Sequence, residues 1–196
     1  MSQKKKCLVI LNGPSVVNLK NFLSKEDNIL EDFDLIGVNR WVRIFDLLGL
    51  TWPKYIVVGK NSLNYNGPFI RKLPQTTFYG IDRLKFPAKN YRLIKTGKMT
   101  VYQKTIDMKG ALWWSGFYAI QLALQKEYEE IHVFGFTCTN QPDYADTFQR
   151  AGIRPANYHK IIAFLQELNE KGLMEKIHFY ENMTNHPFRH LIVSDI

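Results

Sequence analysis

Residues 12–15, Asn-Gly-Pro-Ser, close a short apolar run, Leu8-Val9-Ile10-Leu11, and lead at once into Val16-Val17-Asn18-Leu19, which opens a helix. A strand, a Gly-containing turn and a helix in that order present backbone N–H groups and a helix N-terminus to a phosphate. Pro14 removes one donor, while the Ser15 hydroxyl suits either a helix cap or a ligand oxygen. An ordinary β-to-α turn has the same composition, so these residues alone leave both readings open. Four further loops repeat the chemistry: Asn39-Arg40-Trp41, Gly59-Lys60-Asn61-Ser62, Trp113-Trp114-Ser115-Gly116 and Gly135-Phe136-Thr137-Cys138-Thr139. Taken singly, Asn, Gly and Ser are common turn residues. Five such loops gathered at one sheet edge form a neutral hydrogen-bonding pocket for a nucleotide or a sugar.

The elements that must position these loops are legible as alternating patterns. Apolar, strand-like runs fall at 7–11, 35–38, 55–58, 76–79, 130–134 and 176–180, and helical patterns at 16–23, 116–125 and 158–171. The last helix is the clearest, with Ile161, Ile162, Phe164, Leu165 and Leu168 at helical spacing and Gly172 where a C-terminal stop belongs. Near-continuous apolar strands alternating with helices predict an α/β, Rossmann-like fold: a mostly parallel sheet with helices on both faces. Ligands of such sheets bind outside the carboxyl ends of the strands. The stretch from about 60 to 110 is irregular and rich in Asn, Gly, Pro and Lys; it suits a short extra strand pair or a ligand-facing insertion.

The chain has 196 residues, which suits a single domain over 1–196. No apolar run reaches the roughly 20 residues that span a bilayer. The N-terminus runs from Met-Ser-Gln-Lys-Lys-Lys straight into strand-like sequence, without the apolar core of a signal peptide. With only two cysteines, Cys7 and Cys138, a disulfide framework is excluded and a reducing, cytoplasmic setting is the expectation. The net charge of +8 favours anionic partners, from nucleotide phosphates to nucleic acid, acidic glycans or a membrane surface.

Together, Asn12-Gly13-Pro14-Ser15, Asp32-Phe33-Asp34 leading into Val38-Asn39-Arg40, Asn61-Ser62, Ser115-Gly116-Phe117-Tyr118 and Glu130-Ile131-His132-Val133-Phe134-Gly135 resemble the bacterial sialyltransferases of glycosyltransferase family 42. The likeness in order and spacing runs from about residue 7 to residue 185. The Asn-Gly-Pro-Ser turn is also shared with other Rossmann-like families, the archaeal-type 6-hydroxymethylpterin diphosphokinase-like proteins among them. The resemblance implies that Asn12, Gly13, Ser15, Asn39, Asn61, Ser115 and Gly116 hold a cytidine-monophosphate sugar donor, with the helix beginning near Ser115 facing the phosphate. It also implies catalysis without metal or other cofactor, a tyrosine hydroxyl on the leaving phosphate and a histidine base for the acceptor hydroxyl. Tyr144 matches one such tyrosine. The other falls near Thr139, and the Asp of the family's Gly-x-Asp is Thr137 here; both are departures. The family's histidine lies in a lid shortly before the late helix, and His159, at the start of that helix, is the nearest candidate. Imidazole titrates near neutral pH, which suits a general base, although a His at a helix start also serves as a plain surface or capping residue. The lid is expected near 138–158, where Arg150 and Arg154 could offset phosphate charge.

Other signals point elsewhere. Asp32-x-Asp34 has the form of a metal-binding pair but precedes a strand, so it reads as a solvated turn at the wrong edge. His132 and His178 lie on β-type runs, as partly buried or edge residues. His186 and His190 resemble a metal pair only in spacing. The Lys- and Tyr-rich stretch 85–104 could be a nucleic-acid surface or simply a wet face.

The expectation is therefore a glycosyltransferase that moves a sugar from a nucleotide-activated donor to a glycan or other acceptor hydroxyl. A basic chain that stops at Ile196 without the family's membrane-associating tail puts a lipid-linked acceptor in doubt and admits hydroxylated bases of DNA as acceptor. The alternatives are a pterin-type diphosphokinase-like enzyme, which would need a magnesium ion held by carboxylates at that edge, and a non-catalytic nucleotide binder. Whether the protein is a homo-oligomer is left open.

Overall fold

The computed structural model describes residues 5–25, 29–39, 41–58, 76–81, 100–102, 115–136, 158–181 and 190–191. Strand β1 (Lys6–Ile10) passes through a 3₁₀ turn, Pro14–Val17, into helix α1 (Asn18–Leu23). A second 3₁₀ turn, Ile29–Asp32, precedes β2 (Phe33–Val38), which is followed by α2 (Trp41–Leu48) and β3 (Tyr55–Val58). Then come β4 (Thr77–Ile81), β5 (Thr100–Tyr102), α3 (Ser115–Gln125), β6 (Glu130–Phe134), α4 (Tyr158–Glu170), a 3₁₀ turn at Met174–Lys176 and β7 (Ile177–Phe179). The seven strands form one sheet in the order β5-β4-β3-β2-β1-β6-β7, and every neighbouring pair is parallel. This is the expected α/β, Rossmann-like architecture.

Strand β1 sits at the centre and shows why the sequence reads as unbroken apolar runs. Its Cys7 and Val9, with Leu11 beyond, pack on one face against α3 and α4; its Leu8 and Ile10 pack on the other against α1 and α2. A period of two with both faces covered leaves no polar position. Phe117 of α3 stacks on Phe164 of α4, ring centroids 4.2 Å apart, which locks the two helices of one layer together. In the other layer Phe22 of α1 meets Phe33, Phe134 and Tyr180 within 5.8 Å. The chain thus winds outward from β1 with α1 and α2 on one side, and from β6 with α4 on the other. The boundary between β1 and β6 is the topological switch point, where this kind of sheet opens a crevice at its carboxyl edge.

Helix α2 was not expected, whereas strand β5 falls where an extra strand pair was one of two readings. Helix α2 occupies what reads as a loop at Asn39-Arg40-Trp41; Trp41, Ile44 and Phe45, at i, i+3 and i+4, are all buried. Strand β5 adds a seventh strand inside the irregular middle. The solvated-turn reading of Asp34 is corrected too. Asp34 is buried in β2, and its Oδ2 accepts from Lys54 Nζ and from the Tyr128 hydroxyl, each at 2.6 Å. The cluster ties β2 to the segments entering β3 and β6 at the amino edge of the sheet, opposite the crevice. Burial, then the Asp34 carboxylate, push the Tyr128 phenol far above its ordinary range, and the same causes raise the Cys7 thiol. Among the described residues no helix is long and apolar enough to cross a membrane.

Candidate functional site

The crevice is built from the ends of β1 and β6. Their ladder continues past both strands, with Leu11 N–H donating to Phe134 O at 2.9 Å and Gly13 N–H to Gly135 O at 3.1 Å. Gly135 makes the approach possible. Its φ is +78°, and a Cβ there would stand 2.7 Å from the Leu11 carbonyl oxygen and 3.2 Å from Gly13 N. Gly116 has a similar task in α3, since a Cβ would lie 3.2 Å from Leu11 Cδ1. The first turn of α3 therefore rests on the end of β1, beside Asn12.

Asn12 is 8% exposed, and its side-chain Oδ1 has no hydrogen-bond partner among the described residues. A buried acceptor left in that state costs about 1–3 kcal/mol, which a ligand donor would return. Across the crevice Asn39 follows β2 with φ +45°, a left-handed conformation that Asn tolerates better than most residues. Its N–H bonds Val57 O at 3.0 Å, and its Oδ1 accepts from Ser115 Oγ at 3.0 Å. Two expected site residues, 76 positions apart, are thereby brought into contact. Ser115 is the first residue of α3, an 11-residue helix with no acidic side chain in its first turn to offset the positive end of its dipole.

Of the two roles expected for Ser15, helix cap or contact to a ligand oxygen, the cap is not formed. The 3₁₀ turn is capped by Gly13 with no side-chain hydrogen bond. The Ser15 hydroxyl donates instead to Glu181 Oε1 at 2.7 Å, and the same oxygen accepts from Phe136 N–H at 2.5 Å. Glu181 is 1% exposed and follows β7. Nothing in the sequence singled it out; the only signal is a carboxylate placed just past an apolar strand that ends at the same edge.

His159 is the second residue of α4 and is exposed. In a parallel sheet the crossover helix starts at the carboxyl edge, so its helix end lies on the crevice side. Asn61 and Tyr144 fall outside the described residues, as do Arg150, Arg154, Thr137, Thr139 and all of the expected lid but Tyr158.

A second group of chemically capable side chains lies mid-sheet. Glu130, His132 and His178 place ligand atoms within 4.8 Å of one another. Glu130 Oε2 is paired with Lys6 Nζ at 2.9 Å, and His132 Nδ1 lies 2.8 Å from the Tyr180 hydroxyl. The two imidazoles are stacked, centroids 4.8 Å apart and planes 23° apart, so their in-plane lone pairs run side by side and do not converge. Burial holds His132 below its ordinary pKa, while the Lys6 ammonium holds Glu130 down. This is a packed polar network of β6 and β7.

No family model matches the chain, and no curated protein does. Solved structures do. The sialyltransferase CstII from Campylobacter jejuni in complex with cytidine-5′-monophosphate superposes over 100% of this chain and 87% of its own, with TM-score 0.61 and 18% identity. The monofunctional α-2,3-sialyltransferase Cst-I from Campylobacter jejuni matches over 100% and 82%, with TM-score 0.61 and 12% identity. The sialyltransferase CST-II in complex with a trisaccharide acceptor and CMP matches over 98% and 86%, with TM-score 0.57 and 16% identity. At these identities the likeness is one of fold, and it runs the length of the chain.

Proposed function

We propose that this protein is a glycosyltransferase that moves a sugar from a CMP-sugar donor to a glycan hydroxyl. The carrying observation is the buried Asn12 acceptor, without a partner among the described residues and set at the switch point between the β1 turn and the Ser115 end of α3. A fold shared with sialyltransferases solved with CMP supports the same choice of donor. In this reading Asn12, Gly13 and Ser15 floor the pocket, Asn39 and Asn61 bind base and ribose, and Ser115 and Gly116 bring the pole of α3 to the phosphate. His159 takes the proton of the acceptor hydroxyl as its oxygen bonds the anomeric carbon of the donor. The bond from that carbon to the phosphate oxygen breaks, and Tyr144 donates to the departing CMP. In-line displacement requires the base and the leaving-group donor to act from opposite sides of the sugar. No step of this scheme calls on a metal ion.

The test is a thermal-shift panel of CMP, UMP, UDP and ATP, followed by transfer from CMP-sugar to a trisaccharide with and without EDTA. Ligand bound to the native state raises the melting temperature by mass action. CMP is expected to give the largest shift, and transfer to survive EDTA. A larger response to UDP or ATP would overturn the donor assignment. CMP binding without turnover of CMP-sugar would reduce the protein to a nucleotide binder.

A further inference from the structure

Two backbone donors of the β1 turn and the Ser15 hydroxyl are already committed. Gly13 N–H bonds Gly135 O, Val16 N–H bonds Gly13 O, and Pro14 has none. The Ser15 hydroxyl is held by Glu181, which also binds Phe136 N–H. The helix beyond the turn is a 3₁₀ segment followed by six residues, too short to present a strong dipole. Contacts therefore run in a ring, from Gly13 to Gly135, to Phe136, to Glu181 and back through Ser15. Both side-chain and backbone partners of Glu181 Oε1 donate, which is the demand a carboxylate meets.

We propose that Glu181 is a positioning residue that fills, from inside the protein, the place a phosphate takes at this kind of turn. Its charge closes the Asn-Gly-Pro-Ser turn to a second anion and directs the phosphate of a bound nucleotide to the start of α3. Ser15 then shapes the pocket through Glu181 and makes no bond to phosphate. The inference rests on the nucleotide reading above and adds to it a residue outside the turn motif that decides how the ligand lies.

The experiment measures the dissociation constants of CMP and cytidine for the wild type, Glu181→Gln and Ser15→Ala, with melting temperatures as the folding control. Gln keeps an acceptor for both donors, removes the charge and turns the other carboxylate oxygen into an NH2 donor. Relative to cytidine, CMP is expected to bind Glu181→Gln more tightly than wild type by at least about threefold, because removing a like charge lowers the Coulomb cost of bringing in the phosphate. Ser15→Ala is expected to leave the CMP-to-cytidine ratio within about twofold, because the hydroxyl is not a phosphate ligand. A ratio unchanged in Glu181→Gln, or a selective loss of CMP affinity in Ser15→Ala, overturns the proposal while the nucleotide reading stands. A wild type that binds neither compound overturns both. Should Glu181→Gln not fold, the Ser15→Ala ratio alone decides.

Discussion

Ser115 Oγ donates to Asn39 Oδ1 at 3.0 Å, joining the loop after β2 to the first residue of α3 across the switch-point crevice. The bond fixes both the amide and the helix end in one geometry before any ligand arrives. Preorganisation of this kind reduces the ordering cost of binding. Asn39 also carries a left-handed backbone, so two contributions must be separated. Asn39→Gly keeps the backbone and removes the amide; Asn39→Ala loses both. Both variants are expected to weaken CMP at least about tenfold, whereas only the Ala variant loses about 1 kcal/mol of stability to strain. Calorimetric titration with thermal melts reads both. Retained CMP affinity in Asn39→Gly would remove Asn39 from the pocket.

Asn12 offers the sharpest separation of stability from function. Its Oδ1 is buried without a partner among the described residues. Replacing such a group by an apolar side chain of similar size removes a desolvation cost. Asn12→Leu is therefore expected to melt no lower than wild type, and up to about 1 kcal/mol more stably, while losing nucleotide affinity at least tenfold. A stable variant that still binds CMP would show that the amide meets no ligand.

Two of the left-handed glycines, Gly135 and Gly172, should respond unequally. Gly172 ends α4 at φ +64° with open space around a Cβ, and its N–H bonds Asn169 O at 2.9 Å. Gly172→Ala is expected to cost about 1 kcal/mol, backbone strain alone. Gly135→Ala adds a Cβ 2.7 Å from a backbone carbonyl in the centre of the sheet edge. Its expected cost is about 3 kcal/mol or more, with loss of CMP binding as the β1 turn is forced away. Chemical denaturation of both variants checks the contrast.

How much of this was legible follows from where the partners lie in the chain. Strand β1 and helix α4 were read correctly because burial dictates their local pattern, continuous in one and periodic in the other. Helix α2 was missed because it is only eight residues long and Val42 and Leu47 blur, in the sequence, the i, i+3, i+4, i+7 stripe of Trp41, Ile44, Phe45 and Leu48. Strand β5 has three residues in a polar, cationic segment, and its assignment depends on pairing with β4. The contact between the Asn39 loop and Ser115 was within reach of the sequence because a parallel sheet sends every strand's end to one edge. Glu181 was not, since its partners lie 166 and 45 residues away and only the order β1-β6-β7 brings them together. Asp34 was misread for the same reason: Lys54 and Tyr128 reach it through strand pairing.

That Asp34 cluster predicts the alkaline limit of stability. Tyr128 and Cys7 have raised pKa values in the folded state, from ordinary values of 10.0 and 9.0. Lys54 is raised from 10.5, where partial burial pulls down but the Asp34 hydrogen bond and charge pull up more strongly. For all three the unfolded chain releases its proton first as pH rises. The stability they contribute is present below about pH 9 and is lost as pH climbs past these ordinary values. Tyr128→Phe is expected to cost about 1–3 kcal/mol at pH 7, through the lost bond to Asp34. Its stability should then fall less steeply than that of the wild type above pH 10, because one ionising group is gone. Denaturation midpoints from pH 7 to 11 measure both, and parallel curves would assign the alkaline loss elsewhere.

In the proposed mechanism the chemical step depends on His159 and Tyr144, and the two are expected to fail in different ways. His159→Ala removes the base for the acceptor hydroxyl, so kcat for transfer should fall by about 10²–10⁴, with the affinity for CMP unchanged. Hydrolysis of the donor by water needs less help in deprotonation than attack by a sugar hydroxyl held in place. The ratio of hydrolysis to transfer should therefore rise in this variant. Tyr144→Phe removes help to the leaving phosphate, which both reactions share, so hydrolysis and transfer should decline together. Donors with a better leaving group than CMP would narrow the deficit of Tyr144→Phe and leave that of His159→Ala untouched. Unaltered transfer by His159→Ala would move the base to another residue, and the exposed start of α4 would then be only a helix end.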